Sequence, residues 1–238
     1  MSLIDDIADA IRHHQPLPAL AAGSSLTLDE AYDLQRSVFD AVAGAPPAGI
    51  KAGVTSDQLQ KVFRVEHALL GRLYPAGAMA SGDSFTATPG KLIECELGVV
   101  VNTDGQPIAV CPALEFAYAG FANPGDASAP YLTAGNVAAD QFLAGNRVPW
   151  EDAPDLSAVR LRLYRNDELV NEAQVDESLG GPSKAAAWIT TEALQRGFVI
   201  PDDCLLMTGA CGQVLPAEPG HYRADYGPLG ELRFSITT

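Results

Sequence analysis

The chain has 238 residues, of which 47% are hydrophobic and 19% are charged, and its formal net charge is −15. A chain of this length and apolar content can bury a substantial core in one or two domains. Nucleic-acid binding needs clustered Lys and Arg, which this acidic composition excludes. No apolar run reaches the length of a membrane span, so we expect neither nucleic acid nor a membrane as a partner.

The N-terminal segment and the cysteines indicate the compartment. Met1–Arg12 reads as an acidic amphipathic segment and lacks the pattern of a signal peptide. The four cysteines show no CxxC spacing, so we expect them to be reduced core residues. A cytoplasmic protein is therefore expected.

The first part of the chain is predicted to be mainly helical, because apolar residues recur there at helical spacing. Thr27 and Glu30 fit a capping box for one of its helices, and Ser56 can cap another. The three predicted helices are Leu3–His13, Leu28–Val42 and Asp57–Val65. A short strand and turn, Ile50–Ser56, lie between the second and third.

The chain after residue 75 is predicted to be rich in strands, so we divide it into a mainly helical part (1–75) and a β-rich part (76–238). One strong helix, Pro182–Arg196, interrupts the strands, with Pro182 in its first turn and Gly197 after its end. The candidate strands are Leu92–Val101, Ile108–Phe116, Ala158–Arg165, Glu168–Val175, Leu205–Thr208 and Leu232–Ile236.

The first of these strands carries two acids in a segment that otherwise favours burial. Glu94 and Glu96 are two residues apart, so their side chains point to the same face of the strand. Burying two like charges is unfavourable unless a cation or hydrogen bonds compensate them. This stretch alone leaves two interpretations open, a solvated acidic face and a metal site.

A predicted hairpin adds a third acid. Asp104-Gly105 lies between two apolar runs and is typical of a two-residue turn. With that turn, Glu94 lies opposite Glu115 on the same face. Pro112 then falls opposite Leu97 and cannot donate a hydrogen bond, which predicts a bulge or a break nearby. Three carboxylates offer the oxygen ligands that Mg²⁺ or Mn²⁺ prefers.

Several segments, in this order, resemble the family of 2-keto-4-pentenoate hydratases and 4-oxalocrotonate decarboxylases, within the fumarylacetoacetate hydrolase superfamily. They extend over nearly the whole chain and are Ile50-Lys-Ala-Gly-Val-Thr-Ser56, Ile93-Glu-Cys-Glu-Leu-Gly-Val99, Pro112-Ala-Leu-Glu115, Ala134-Gly-Asn136, Gly181-Pro182, Leu206-Met-Thr-Gly209, Pro219-Gly220 and Leu229-Gly230 through Phe234.

The resemblance implies an α+β fold with a mixed, rolled β-sheet of the fumarylacetoacetate hydrolase type and a helical N-terminal part. It implies a divalent metal, Mg²⁺ or Mn²⁺, held by Glu94, Glu96 and Glu115. The family's catalytic lysine falls on Lys51. Substrate contacts are expected at the positions of Asn136, Thr208 and Gly209.

The implied activity is that of a metal-dependent lyase acting on a short 2-keto acid through a metal-stabilised enolate. It is either a hydratase of the 2-hydroxypenta-2,4-dienoate type or a decarboxylase of the 4-oxalocrotonate type, as in aromatic-compound catabolism. The metal would polarise the keto group, and Lys51 would exchange protons. The resemblance also implies a homo-oligomer and allows a complex with a related enzyme of the pathway.

Parts of the expected substrate pocket depart from the family pattern. Phe116–Gly120 replaces Ile-Val-Asp-Ser-Arg after the third acid, Val137–Ala139 lacks the serine of Asp-Asn-Ala-Ser, and Ser183-Lys184 replaces Leu-Asn. Two alternatives therefore remain. One is a non-catalytic subunit that binds a keto acid or stabilises a partner. The other is a carbon–carbon hydrolase of a diketo acid, which usually needs a histidine beside an acid.

Overall fold

Four of the five α-helices within residues 2–238 begin at a capping side chain, and the fifth, which starts at Pro182, does not. The computed structural model describes residues 2–238. Both Ser2 and Thr27 accept a hydrogen bond from the third residue of the following helix and form a capping box, the latter as predicted with Glu30. The α-helices of residues 2–238 are α1 (Leu3–Arg12), α2 (Leu28–Ala43), α3 (Asp57–Phe63), α4 (Ala129–Ala134) and α5 (Pro182–Gln195).

The strands form two sheets. The strands are β1 (Gly49–Gly53), β2 (Leu69–Leu73), β3 (Ala78–Met79), β4 (Ser84–Thr86), β5 (Leu92–Val101), β6 (Pro107–Phe116), β7 (Gln141–Ala144), β8 (Val148–Pro149), β9 (Arg160–Arg165), β10 (Glu168–Gln174), β11 (Cys204–Met207), β12 (Leu215–Pro216), β13 (Gly220–Asp225) and β14 (Glu231–Thr237). Five of the six predicted strands differ from the observed ones by one or two residues at an end, and Leu92–Val101 matches.

The larger sheet has nine strands. Seven follow the order β2-β1-β11-β5-β6-β7-β3, while β12 pairs with β5 and β8 pairs with β6. The β1–β11 and β3–β7 pairs are parallel and the other pairs in this sheet are antiparallel, so the sheet is mixed. The smaller sheet has the order β10-β9-β13-β14-β4. The predicted α+β class, with a curled mixed sheet and N-terminal helices, is confirmed.

Strand β5 separates three parts of the core. On one face, Ile93, Cys95 and Leu97 pack against the smaller sheet. Further along the same face, Val99 and Val101 belong to the cluster that contains α5. On the opposite face, which carries Glu94 and Glu96, Val100 contributes to a third cluster together with Ala109, Cys111, Ala113, Leu205 and Met207. The two acids therefore lie at one end of an apolar sheet face.

The β5–β6 hairpin keeps the predicted pairing near the acids but turns differently. Glu94 pairs with Glu115 as predicted, whereas the register shifts between Val100 and Val101. Asn102 accepts a hydrogen bond from Gly105, so the chain reverses in a loop that is longer than the predicted two-residue turn. The bulge next to this loop restores the register that a two-residue turn would give.

Pro112 lies opposite Leu97 without a break in the strand. The carbonyl of Leu97 accepts from Thr208 N, 3.1 Å away, which shows that the backbone groups of Leu97 face β11. The nitrogen of Pro112 therefore faces away from β5 and is not required to donate there. The pairing at Pro112 is regular, and the register shift lies instead at Val100 and Val101, next to the turn.

Strands β1 and β2 precede residue 75 but pair within the same sheet as β5–β7. The division into two parts at that residue stays a prediction.

No helix within residues 2–238 is long and apolar enough to cross a membrane. Sequence patterns missed α4 and seven strands, which are short or contain glycine and so carry a weak periodic signal. The missed strands are β2, β3, β4, β7, β8, β12 and β13.

Candidate metal centre

Three glutamates converge where β5 and β6 pair. Glu94 and Glu96 come from one face of β5, and the cross-strand partner of Glu94 is Glu115. One carboxylate oxygen from each lies within 4.8 Å of those of the other two. Glu96 and Glu115 are fully buried, while Glu94 is half-buried. The arrangement matches the three acids that the sequence predicted to share one surface.

Lys51 reaches the acids from the middle of β1. Its Nζ lies 2.9 Å from Glu115 Oε2 in an ion pair and donates a hydrogen bond to the carbonyl of Val137 at 2.9 Å. The side chain is only 2% exposed. Lys51 therefore lies in the core beside the acids and does not extend into solvent.

Burial and mutual repulsion shape the ionisation of these groups. Burial, followed by the charges of Glu115 and Glu94, raises the pKa of Glu96 well above its usual value. Burial raises the pKa of Glu115 to about 7, although Lys51 opposes the shift. Burial alone would lower the pKa of Lys51, but the charge of Glu115, with those of Glu94 and Glu96, raises it. The protein by itself thus disfavours three ionised carboxylates here.

The free oxygens of these acids fit a divalent cation. Glu96 Oε1 and Glu115 Oε1 are buried and have no hydrogen-bond partner among residues 2–238. Three carboxylates face a single ammonium group, so the cluster has an excess of negative charge when it is fully ionised. An all-oxygen donor set of this kind suits Mg²⁺ or Mn²⁺. Glu94, Glu96 and Glu115 are therefore the residues that would hold the metal.

A loop after β11 orients one of the acids. Gly209 donates its backbone N–H to Glu96 Oε2 at 2.8 Å. The preceding residue, Thr208, donates its hydroxyl to Leu97 O at 2.9 Å, and its carbonyl accepts a 2.7 Å hydrogen bond from Ser178 Oγ. The structure thus places Thr208 and Gly209, which were predicted as substrate contacts, beside the acids. Sequence reasoning missed Ser178.

Asn136 lies in a turn that contacts Lys51 through the next residue. Its side-chain amide bonds with the backbone of Arg72, and its neighbour Val137 supplies the carbonyl that binds Lys51. The side chains of Asn136 and Thr208 are thus both engaged with the main chain. Contact of Asn136, Thr208 and Gly209 with a substrate stays a prediction.

The positions that depart from the family pattern have local structural roles. Phe116 packs edge-on against Phe85 and Phe234 in the core. Gly120 and Gly135 lie against the loop after α1: a Cβ atom on Gly135 would meet Leu17 Cδ1 at 2.6 Å, and Gly120 O accepts from Leu17 N at 2.8 Å. A buried leucine thus occupies space next to two positions where the family pattern has charged residues.

No family model matches the chain. Its sequence is nevertheless similar to those of several known enzymes. It is 25% identical to a 2-keto-4-pentenoate hydratase of Paraburkholderia phymatum over 239 residues, covering 93% of this chain and 90% of that one. A 2-keto-4-pentenoate hydratase of Burkholderia vietnamiensis is also 25% identical to this chain, and the match covers 93% of this chain and 90% of that one. Over most of its length the chain is therefore similar to 2-keto-4-pentenoate hydratases, at an identity that marks it as divergent from them.

Several solved structures share this fold. The chain superimposes on 4-oxalocrotonate decarboxylase from Pseudomonas putida, complexed with magnesium and adipate, with a TM-score of 0.87 and 21% identity over 99% of this chain and 96% of that one. For 5-carboxymethyl-2-hydroxymuconate delta-isomerase of Mycobacterium smegmatis the TM-score is 0.58 at 12% identity, with 81% and 80% coverage. These similarities establish the rolled-sheet fold.

Proposed function

We propose that this chain is a metal-dependent lyase acting on a short 2-keto acid. The observation that carries the proposal is the buried set of Glu94, Glu96 and Glu115 with Lys51 beside it. The named activities of the relatives, a hydratase and a decarboxylase, support lyase chemistry on a keto acid. The magnesium in the decarboxylase complex supports Mg²⁺, with Mn²⁺ as the alternative.

The residues of the chain have separate tasks in this proposal. A bound divalent cation would supply a Lewis acid for the keto group of the substrate. Glu94, Glu96 and Glu115 would hold it, and the Gly209 N–H keeps the Glu96 carboxylate in place. Lys51 carries a proton at Nζ, which it can donate to the substrate and recover later. Burial of Lys51 and two of the acids keeps water from competing for that proton.

The decisive experiment measures turnover with two substrate types. Purified protein with Mg²⁺ or Mn²⁺ is expected to hydrate 2-hydroxypenta-2,4-dienoate or to decarboxylate a 2-oxo-dicarboxylate. Glu96→Gln and Lys51→Met should abolish the reaction, while Glu172→Gln, an exposed acid paired with Arg162, should leave it intact. Wild-type inactivity across a panel of 2-keto acids would contradict the lyase proposal.

The alternatives make different predictions in the same assays. A non-catalytic subunit binds Mg²⁺ and oxalate in calorimetric titrations but turns over nothing by itself. The carbon–carbon hydrolase is less well supported, because within residues 2–238 no histidine bonds to the three glutamates: His14 pairs with Asp140 and His13 with Asp9. A homo-oligomer and a complex with a pathway enzyme are part of the proposal, and light scattering tests both.

A further inference from the structure

A left-handed turn follows α4 and approaches the Lys51 side chain. Asn136, Val137 and Ala138 have φ values of 58°, 52° and 60° in succession. This region is unfavourable for residues with a Cβ atom, and most of all for a β-branched residue such as Val137. Three such residues in a row persist only where surrounding contacts hold them.

The side chain of Asn136 supplies contacts of this kind. Asn136 Oδ1 accepts from Arg72 N at 2.8 Å, and Asn136 Nδ2 donates to Arg72 O at 2.8 Å. Arg72 lies in β2, the strand at the end of the sheet order, so within the described residues 2–238 one edge of this strand has no neighbouring strand. The buried Asn136 amide thus pairs with that edge in the way a further strand would.

Two glycines allow the turn to lie directly on the strands. A Cβ atom on Gly71 would be 2.7 Å from Asn136 O, and one on Gly53 would be 2.6 Å from Val137 Cγ1. Both distances are shorter than Cβ contacts in proteins allow. The close approach brings the Val137 carbonyl to 2.9 Å from Lys51 Nζ, which also lies 2.9 Å from Glu115 Oε2.

We propose that Asn136 is a positioning residue for Lys51. Its side chain pairs with Arg72, holds the left-handed turn on β2, and so places the Val137 carbonyl where it binds the Lys51 ammonium. Lys51 Nζ is then fixed between this carbonyl and Glu115. The catalytic meaning of this placement rests on the proposed function, but the placement itself can be tested without any substrate.

The low lysine content makes a direct test practical. The chain has four lysines, Lys51, Lys61, Lys91 and Lys184, so NMR of protein with ¹³C,¹⁵N-labelled lysine gives four side-chain signals. Lys51 and Lys91 are buried, whereas Lys61 and Lys184 are exposed and serve as references. In the wild type, the Lys51 ammonium protons should exchange slowly with water, and Lys51→Met identifies their signal.

Asn136→Gly is the main variant, because glycine accepts the left-handed conformation but removes the pairing with Arg72. We expect the Lys51 Nζ signal to shift and its protons to exchange about tenfold faster or more, since two buried hydrogen bonds are lost. Asn136→Asp, which keeps the Oδ1 acceptor but loses the donor, should give a change in the same direction and is the substitute if Asn136→Gly does not fold.

Asn171→Ala is the matched control. Asn171 is also a buried asparagine, and it bonds to the backbone of Cys211 and Gln213 through the same two side-chain atoms, away from Lys51. The proposal predicts that this variant leaves the Lys51 signal unchanged. An unchanged Lys51 signal in both Asn136 variants would overturn the proposal.

The Lys91 signal distinguishes a change confined to the surroundings of Lys51 from a general loosening of the structure. The Lys91 ammonium binds Asp140 at 2.8 Å, just after the left-handed turn. Equal acceleration of exchange at Lys51 and Lys91, or an equal effect of Asn171→Ala, would overturn the positioning role. Calorimetric titration of the wild type with Mg²⁺ and oxalate tests the proposed function separately, because a failure to bind either ligand leaves the lysine measurements fully interpretable.

Discussion

Glu115 pairs directly with Glu94 across the β5–β6 ladder and also forms an ion pair with Lys51 Nζ at 2.9 Å. It therefore connects a half-buried acid to a fully buried lysine. Two like charges opposite each other destabilise a sheet unless a cation compensates them. Lys51 compensates only one carboxylate, and this imbalance leads to testable consequences for stability and metal binding.

The first prediction concerns removal of one buried charge. Glu96→Gln keeps an oxygen that can accept from Gly209 N but removes a carboxylate whose burial is unfavourable. We expect the metal-free variant to be more stable than the wild type by about 1–2 kcal/mol and to lose stabilisation by Mg²⁺. Urea unfolding with and without Mg²⁺ measures both effects. A variant that is still stabilised by Mg²⁺ as strongly as the wild type would contradict the metal site.

The second prediction compares two buried lysines. Lys51→Met leaves the acids without their ammonium partner and should reduce the free energy of unfolding by about 3–5 kcal/mol. Mg²⁺ should restore part of this loss, because it neutralises the same acids. Lys91→Met breaks the ion pair between this buried lysine and the partly buried Asp140, and it should show a similar loss without rescue by Mg²⁺. Rescue of both variants, or of neither, would argue against a cation site beside Lys51.

The third prediction concerns pH. The pKa of Glu115 is about 7 in the folded protein, above the ordinary value of 4.5, so between these values the folded state binds more protons than the unfolded state. The stability that this group contributes is therefore present below about pH 4.5 and is lost as the pH rises through 7. Glu115→Gln should flatten this part of the profile in metal-free unfolding experiments. Saturating Mg²⁺, which favours the ionised form, should flatten it in the wild type.

The fourth prediction tests the strain in the left-handed turn. Ala138 has a φ of 60°, whereas the next residue, Ala139, has a φ of −59°. A non-glycine residue in the left-handed region costs about 1–2 kcal/mol, so Ala138→Gly should stabilise the protein by up to about 1 kcal/mol after the entropy of glycine is subtracted. Ala139→Gly should destabilise it by about 0.5–1 kcal/mol. Thermal unfolding of the two variants gives the comparison, and equal destabilisation of both would show that the turn is unstrained.

Local patterns determined much of the fold and the acidic ligands. Capping residues located the early helices, and alternation with β-branched residues located β5 and β6. The two-residue spacing of Glu94 and Glu96 determined that they share a face. The pairing with Glu115 was predicted from the wrong turn, and it held because a bulge near Val101 offsets the longer loop.

The order of family-like segments also pointed to Lys51, but its sequence context could not show its environment. A lysine in an apolar strand is compatible with exposure, and only the packing of β1, β2 and the turn at Val137 shows that it is buried. The pairing of Asn136 with Arg72 joins residues that are 64 positions apart.

The sequence by itself thus determined the residue types of the centre, because side-chain chemistry and strand periodicity are local properties. Only the tertiary structure decided how those residues are held. The edge of β2 is available to Asn136 because no strand in the described part of the chain, residues 2–238, covers it. Gly53 and Gly71 are needed because the turn lies against them. Both facts depend on contacts between distant segments, which no local pattern in the chain records.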